Sequence, residues 1–334
     1  MPATPWVLLA AVGLGSPSPT SPEGGALDAV LQASGVEGPS LPSHRRALDR
    51  IVADLARSVA PVDGSDRPAA LLRALHDGPL SGYDEAAHGL VPLLADGRFN
   101  CVSATALYLL VAERVGVRAE VELLPSHARA RVWADGRWRV VETTSRRGFD
   151  PSEAALRVLG QRLLKADGGL AVLEQEGLRG GLDDLLAAML VNRAATAQAQ
   201  GRLAQAEALF TEAEARAAGG PLRPALRDQR VAILARLGVD ELARLEDGSG
   251  ETDTRALEDG QRLLVEAARL RAPSPSIRHL AEANLRAVTE RLLRAAIARG
   301  DAAAASRARS RAAQGLGSAQ MRALGAFALG ERAR

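Results

Sequence analysis

One cysteine among 334 residues excludes any internal disulfide and leaves a single free thiol, Cys101. Aromatic residues are scarce at 3%, whereas hydrophobic residues make up 47% of the chain, with alanine and leucine abundant. A core built from such short aliphatic side chains points to a mostly helical, globular protein. Lysine is almost missing, since Lys165 is the only one among 42 basic residues. The arginines are interspersed with 40 acidic residues, for a net charge of only +2. No basic face emerges, and no nucleic-acid partner is expected. The histidines show no His-x-x-x-His spacing and no second cysteine joins them, so neither a metal nor another cofactor is expected. The length leaves room for two domains and a short tail.

The first basic residue is Arg45, which leaves an N-terminal stretch without positive charge. Within it, residues 6–15 (WVLLAAVGLG) form an apolar run of signal-peptide length, and residues 16–25 (SPSPTSPEGG) have the composition of a flexible linker. Residues 1–25 are therefore expected to be a signal peptide and linker. Export to a periplasm or beyond the cell follows, with a cytoplasmic location as the alternative. The run is too short for a stable membrane span.

What is present centres on residues 97–150. Residues 101–115 (CVSATALYLLVAERV) are apolar nearly all round and stop at Gly116, which reads as a buried helix. Asn100 is a good N-cap and puts Cys101 at the first helical position. A thiolate there faces unpaired N–H groups and the positive end of the helix dipole, both of which favour the charged form. The competing reading of a lone cysteine is a small hydrophobe in the core.

Two strands follow. Residues 127–133 (HARARVW) alternate, residues 138–144 (WRVVETT) are rich in β-formers, and Asp135-Gly136 between them signals a two-residue hairpin turn. That turn sets Trp133 against Trp138 and Arg129 against Glu142. His127 and Glu142 become diagonal neighbours on one face, within reach of each other. A slip of one residue would separate them. The alternative is a cross-strand ion pair between Arg129 and Glu142. A thiol nucleophile needs a base for its proton and a third group to orient that base, so Cys101, His127 and Glu142 are the candidate catalytic set.

Asn100-Cys101 before an apolar helix, Pro125-Ser126-His127 opening a strand, and Glu142-Thr143-Thr144 ending the next are similar to the transglutaminase-like superfamily of papain-like cysteine enzymes. The resemblance covers residues 40–150 in outline and is specific over 97–150. It implies a helix carrying the cysteine at its N-terminus, packed on a small antiparallel sheet that carries the histidine and an acidic residue. It also implies acyl-transfer chemistry on a peptide or amide substrate, by a peptidase, an amidase or a cross-linking enzyme, although the superfamily includes inactive relatives. The chain departs from the pattern after His127, where Ala128-Arg129-Ala130-Arg131 stands in place of bulky apolar residues.

Elsewhere helices are expected. Leu48, Ile51, Val52, Leu55, Ala56 and Val59 recur at helical spacing after a Ser43 cap, a second helix spans 68–76, and a third segment spans 83–94. Beyond Asp150-Pro151 the β signal stops. Residues 190–218 resemble a tetratricopeptide repeat, with Ala194, Gly201, Ala206, Phe210 and Ala213 at the small and aromatic positions. Gly238 with Ala243 and Gly300 with Ala305 repeat the offset of Gly201 with Ala206, each glycine ending a helix. An ordinary alanine-rich bundle explains the same pattern.

The expected architecture is α+β and mostly α. A transglutaminase-like domain with N-terminal helices occupies 26–150, connecting helices 151–185, and a tetratricopeptide-like helical domain 186–334. Two functions remain open: a thiol acyl-transfer enzyme, or an inactive fold whose helical repeats dock a protein partner.

Overall fold

The computed structural model describes residues 23–124, 127–164, 177–217, 219–243 and 254–332. The signal-peptide run at 6–15 and Pro125-Ser126 lie outside the described residues. The protein is mostly helical with a small antiparallel sheet, as its composition indicates. Two compact units divide the chain. One extends to Ala195 and takes in Glu212–Arg223, and the other holds Thr196–Thr211 and Pro224–Arg334.

The first unit begins with α1 (Glu23–Ala33), which takes up the last three residues of the expected linker. Next come α2 (Leu41–Val59) and α3 (Arg67–Asp77). Helix α2 starts two residues before Ser43, whose hydroxyl donates to the Ser40 carbonyl instead of capping. Leu48, Val52, Leu55 and Val59 form its buried stripe. The segment expected to be helical over 83–94 is not one helix. Gly82–Tyr83 form a short strand, β1, paired in parallel with β2 (Arg98–Phe99), and the helix α4 runs only from Leu90 to Asp96. Two residues are too few to show a strand period, so the sequence carried no sign of β1.

Helix α5 (Cys101–Arg114) is the centre of this unit. Every residue from Cys101 to Ala112 is buried, which is why its sequence is apolar on all faces. It packs against α1, α2 and α3 and against the sheet. The Tyr108 hydroxyl donates to the Pro68 carbonyl at 3.1 Å and so satisfies the one polar atom of a fully buried ring. Gly116, at φ +71°, ends the helix in the left-handed region that glycine tolerates best.

The sheet is larger than a two-stranded ribbon. Its order is β5-β4-β3-β6, all neighbours antiparallel, with β3 Ala119–Leu124, β4 His127–Ala134, β5 Arg137–Val141 and β6 Leu178–Gly180. Strand β6 lies past Asp150, where no further β structure was expected. Asp135 and Gly136 both adopt positive φ (51° and 75°), the requirement of a tight hairpin turn whose twist matches its strands. The register that this turn imposes pairs Trp133 with Trp138, Ala134 with Arg137 and Ala130 with Val141. The two tryptophan rings meet edge to face at 5.7 Å, with the Arg118 guanidinium over both. After β5 come α6 (Glu153–Leu164) and α7 (Leu182–Ala199), followed by α8 (Leu203–Arg216).

Helices α7 and α8 flank a turn at Gly201 (φ +73°), and Ala194, Ala206, Phe210 and Ala213 are all buried. Gly300 (φ +67°) similarly separates α11 (Pro275–Ala298) from α12 (Ala302–Ala312), with Ala305 buried. Gly238 departs from this pattern. It sits inside α9 (Arg223–Ala243), where an added β-carbon would stand 2.6 Å from Leu264 Cγ. It is a close-packing glycine against α10 (Thr254–Arg269), not a helix end. The helix α13 (Ser318–Arg332) closes the chain's described part, and the core of the second unit is built from α9 to α13. No helix among the described residues is long and apolar enough to cross a membrane.

Candidate active site

The site begins with the cap of α5. Asn100 has extended backbone, and its side-chain oxygen accepts from the Val102 and Ser103 N–H groups, each at 3.0 Å. The Ser103 hydroxyl in turn accepts from the Asn100 N–H at 2.9 Å, which completes a reciprocal capping box. The cap thus claims the second and third donors of the helix and leaves the Cys101 N–H outside it. The Asn100 amide group reaches His88 Nδ1 at 3.2 Å, so a neutral imidazole is held against the cap. Burial keeps His88 below its ordinary pKa and preserves that acceptor.

Cys101 is 8% exposed. Its thiol stands beside the side chain of His127, the first residue of β4, and helps to raise the imidazole's pKa. His127 Nε2 lies 2.8 Å from Glu142 Oε2, so the carboxylate engages that ring nitrogen and not Nδ1. The hairpin register explains the contact. With Ala130 opposite Val141, the next residue, Glu142, falls in line with Arg129 and one diagonal step from His127. The structure therefore joins His127 to Glu142 and places Cys101 beside the imidazole.

Both oxygens of Glu142 are occupied. Oε2 meets His127, and Oε1 accepts from the Thr144 hydroxyl at 2.6 Å and the Thr144 N–H at 3.2 Å. Burial opposes ionisation of this carboxyl. The facing imidazole and the His127 and Thr144 hydrogen bonds outweigh that cost and hold its pKa below the ordinary value. Burial likewise opposes the charged form of His127. The Glu142 charge and hydrogen bond, together with the neighbouring Cys101, prevail, and its pKa is raised to about 10. His127 is accordingly an imidazolium at neutral pH, the cation a thiolate needs beside it.

Neighbouring residues fix this line of groups. Thr105, one helical turn after Cys101, shares a 2.7 Å hydroxyl–hydroxyl hydrogen bond with Thr143 and ties the helix to the strand end that carries Glu142. His76 Nε2 hydrogen-bonds the Thr143 carbonyl at 3.0 Å. Its ring stands edge-on to Phe99, which stands edge-on to Tyr83. Tyr83 was not among the sequence-derived candidates, and neither was His76. His76 lay on a helix with no chemical partner visible in the sequence, and Tyr83 lies on the two-residue strand.

The two arginines that follow His127 are directed to other partners. Arg129 Nε lies 2.6 Å from Glu122 Oε2, and Arg131 Nη1 lies 3.1 Å from Glu120 Oε1, both across the β3–β4 ladder. Glu142 is left to His127, so the alternative Arg129–Glu142 pair does not form. Among the described residues, no group of three or more His, Cys, Asp or Glu side chains is gathered as a metal site. Comparison with known proteins found no match to a protein-family model, to a curated protein or to a solved structure.

Proposed function

We propose that this protein is a cysteine acyl-transfer enzyme of transglutaminase-like architecture acting on a peptide or amide. One observation carries the reading: a buried imidazole hydrogen-bonded to a carboxylate through Nε2, with a helix-terminal thiol beside it that helps to raise its pKa. The Cys101 thiolate attacks the amide carbonyl carbon, forming the C–S bond while the carbonyl electron pair moves onto oxygen. As the C–N bond breaks, the His127 imidazolium donates its proton to the departing amine. Water, or a second amine, then attacks the thioester. His127 takes the proton of that nucleophile, and the C–S bond breaks to release Cys101. Glu142 holds the ring and stabilises its charge throughout. The Cys101 N–H, outside the cap, stabilises the oxyanion.

The test is alkylation by iodoacetamide. At pH 6 an ordinary thiol is only about 0.3% thiolate, so an ion-paired Cys101 reacts roughly ten- to a hundredfold faster than free cysteine. The variant His127→Ala removes that advantage. Slow labelling, unchanged in His127→Ala, overturns the enzymatic reading.

The second reading is an inert fold whose helical half docks a protein partner. It draws on the near-complete burial of Cys101, which is only 8% exposed. Slow, His127-independent alkylation supports it. In either reading export remains the proposed location.

A further inference from the structure

Attack on a carbonyl places negative charge on its oxygen, and one backbone N–H is a thin complement for it. Tyr83 stands beside this site for reasons of backbone pairing. Strand β1 runs parallel to β2 with Gly82 opposite Arg98 and Tyr83 opposite Phe99, and the Asp84 N–H bonds the Phe99 carbonyl at 2.8 Å. Phe99 precedes Cys101 by two residues, so the pairing fixes Tyr83 next to the start of α5. The tyrosine ring meets Phe99 edge-on, with centroids 6.0 Å apart and planes at 85°. Phe99 is itself held edge-on by His76 at 5.7 Å.

The hydroxyl of Tyr83 has no hydrogen-bond partner among the described residues, and the residue is 40% exposed. Resting on the acyl-transfer reading, we infer that the Tyr83 hydroxyl is the second donor of the oxyanion hole, acting with the Cys101 N–H. Electrostatics agree with this placement. Burial, then the negative charges of Cys101, Glu85, Glu142 and Asp84, push the phenol's pKa up. The hydroxyl therefore stays protonated, and a donor, wherever the thiolate is formed. A group that senses the charge on sulfur also senses an oxyanion built on the carbon bonded to that sulfur.

The experiment compares two reactions of Cys101. Acylation by p-nitrophenyl acetate passes through an oxyanion, whereas alkylation by iodoacetamide does not. The substitution Tyr83→Phe keeps the ring and its contact with Phe99 and removes only the hydroxyl. The expected result is a burst of p-nitrophenolate slowed roughly tenfold to a hundredfold, the range of a single oxyanion donor, with the alkylation rate unchanged within about twofold. Equal slowing of both reactions would mean that Tyr83 supports the thiol or the imidazole, and an unchanged burst would mean no role; each overturns the inference while leaving the acyl-transfer reading intact. A wild-type protein without a Cys101-dependent burst overturns that reading, and this inference with it. The alkylation rate of the variant also reports whether the site has remained folded.

Discussion

Gly148 lies directly against Glu142. The Gly148 carbonyl takes the Glu142 N–H at 2.7 Å, and a β-carbon on Gly148 would stand 2.0 Å from the Glu142 carbonyl oxygen and 2.9 Å from its Cβ. The turn from Ser145 to Gly148 thus folds back onto the strand end that carries the acid. Glycine is needed here for close approach, not for an unusual φ.

Gly148→Ala is therefore expected to move Glu142. The cost is about 1–3 kcal/mol, the usual penalty for overpacking a buried site. The same displacement weakens the Glu142–His127 bond, so iodoacetamide labelling of Cys101 at pH 6 slows as well. Thermal unfolding and labelling, measured together, check both effects. An alanine variant with wild-type melting and labelling would show that the turn is not held against Glu142.

The charge state of His127 sets a pH profile. Its folded pKa is raised from 6.5 to about 10, so its stabilising contribution is fully present below pH 6.5 and is lost as pH rises through 10. Glu142 is depressed from 4.5, so its contribution is present above pH 4.5 and lost as pH falls through the lower folded value. Stability from the pair is therefore greatest between about pH 4.5 and 6.5. Amide turnover, which needs imidazolium to protonate the leaving amine, declines on an alkaline limb near pH 10. In Glu142→Gln the carboxylate charge is gone, and that limb moves to lower pH. A limb that does not move would show that Glu142 has no electrostatic hold on His127.

The N-cap of α5 has its own test. Asn100→Ala removes the acceptor for the Val102 and Ser103 N–H groups and the donor to His88, at a cost of about 1–2 kcal/mol. Asn100→Ser restores a cap oxygen but not the reach to His88, so its melting temperature falls between those of wild type and Asn100→Ala. Equal melting of the two variants would show that the cap oxygen is not the stabilising group.

The residues that were legible in the sequence owe this to local rules. Asn100 before an apolar run fixes where α5 begins, and Asp135-Gly136 fixes the turn, hence the register, hence which residue meets His127. Each signal acts within a few residues. What was missed depends on distant partners. Strand β3 alternates Glu120, Val121, Glu122 and Leu123, but its glutamates make sense as buried or half-buried groups only once Arg129 and Arg131 lie opposite them. Strands β1 and β6 are two and three residues long and carry no period. Gly238 looked like a helix end because glycine serves both as a stop and as a point of close packing, and only the position of Leu264 separates the two.

The Glu122–Arg129 pair yields the last prediction. Both side chains are buried, at 4% and 7% exposure, and their 2.6 Å contact replaces the apolar residues expected after the histidine. Two ions removed from water lose much of their attraction to desolvation, so the pair adds little net stability compared with apolar residues of similar size. Removing one partner is different, because the other keeps its charge in a dry site and loses its 2.6 Å contact. Glu122→Leu alone and Arg129→Leu alone should each cost about 3–5 kcal/mol, whereas the double variant should cost much less than their sum. Chemical denaturation of the four proteins measures that coupling. The double variant should also keep rapid labelling of Cys101, because His127 and Glu142 bond to each other without help from Arg129. Additive single costs would mean that the two charges act independently in the folded protein, and loss of labelling in the stable double variant would mean that Arg129 takes part in the site.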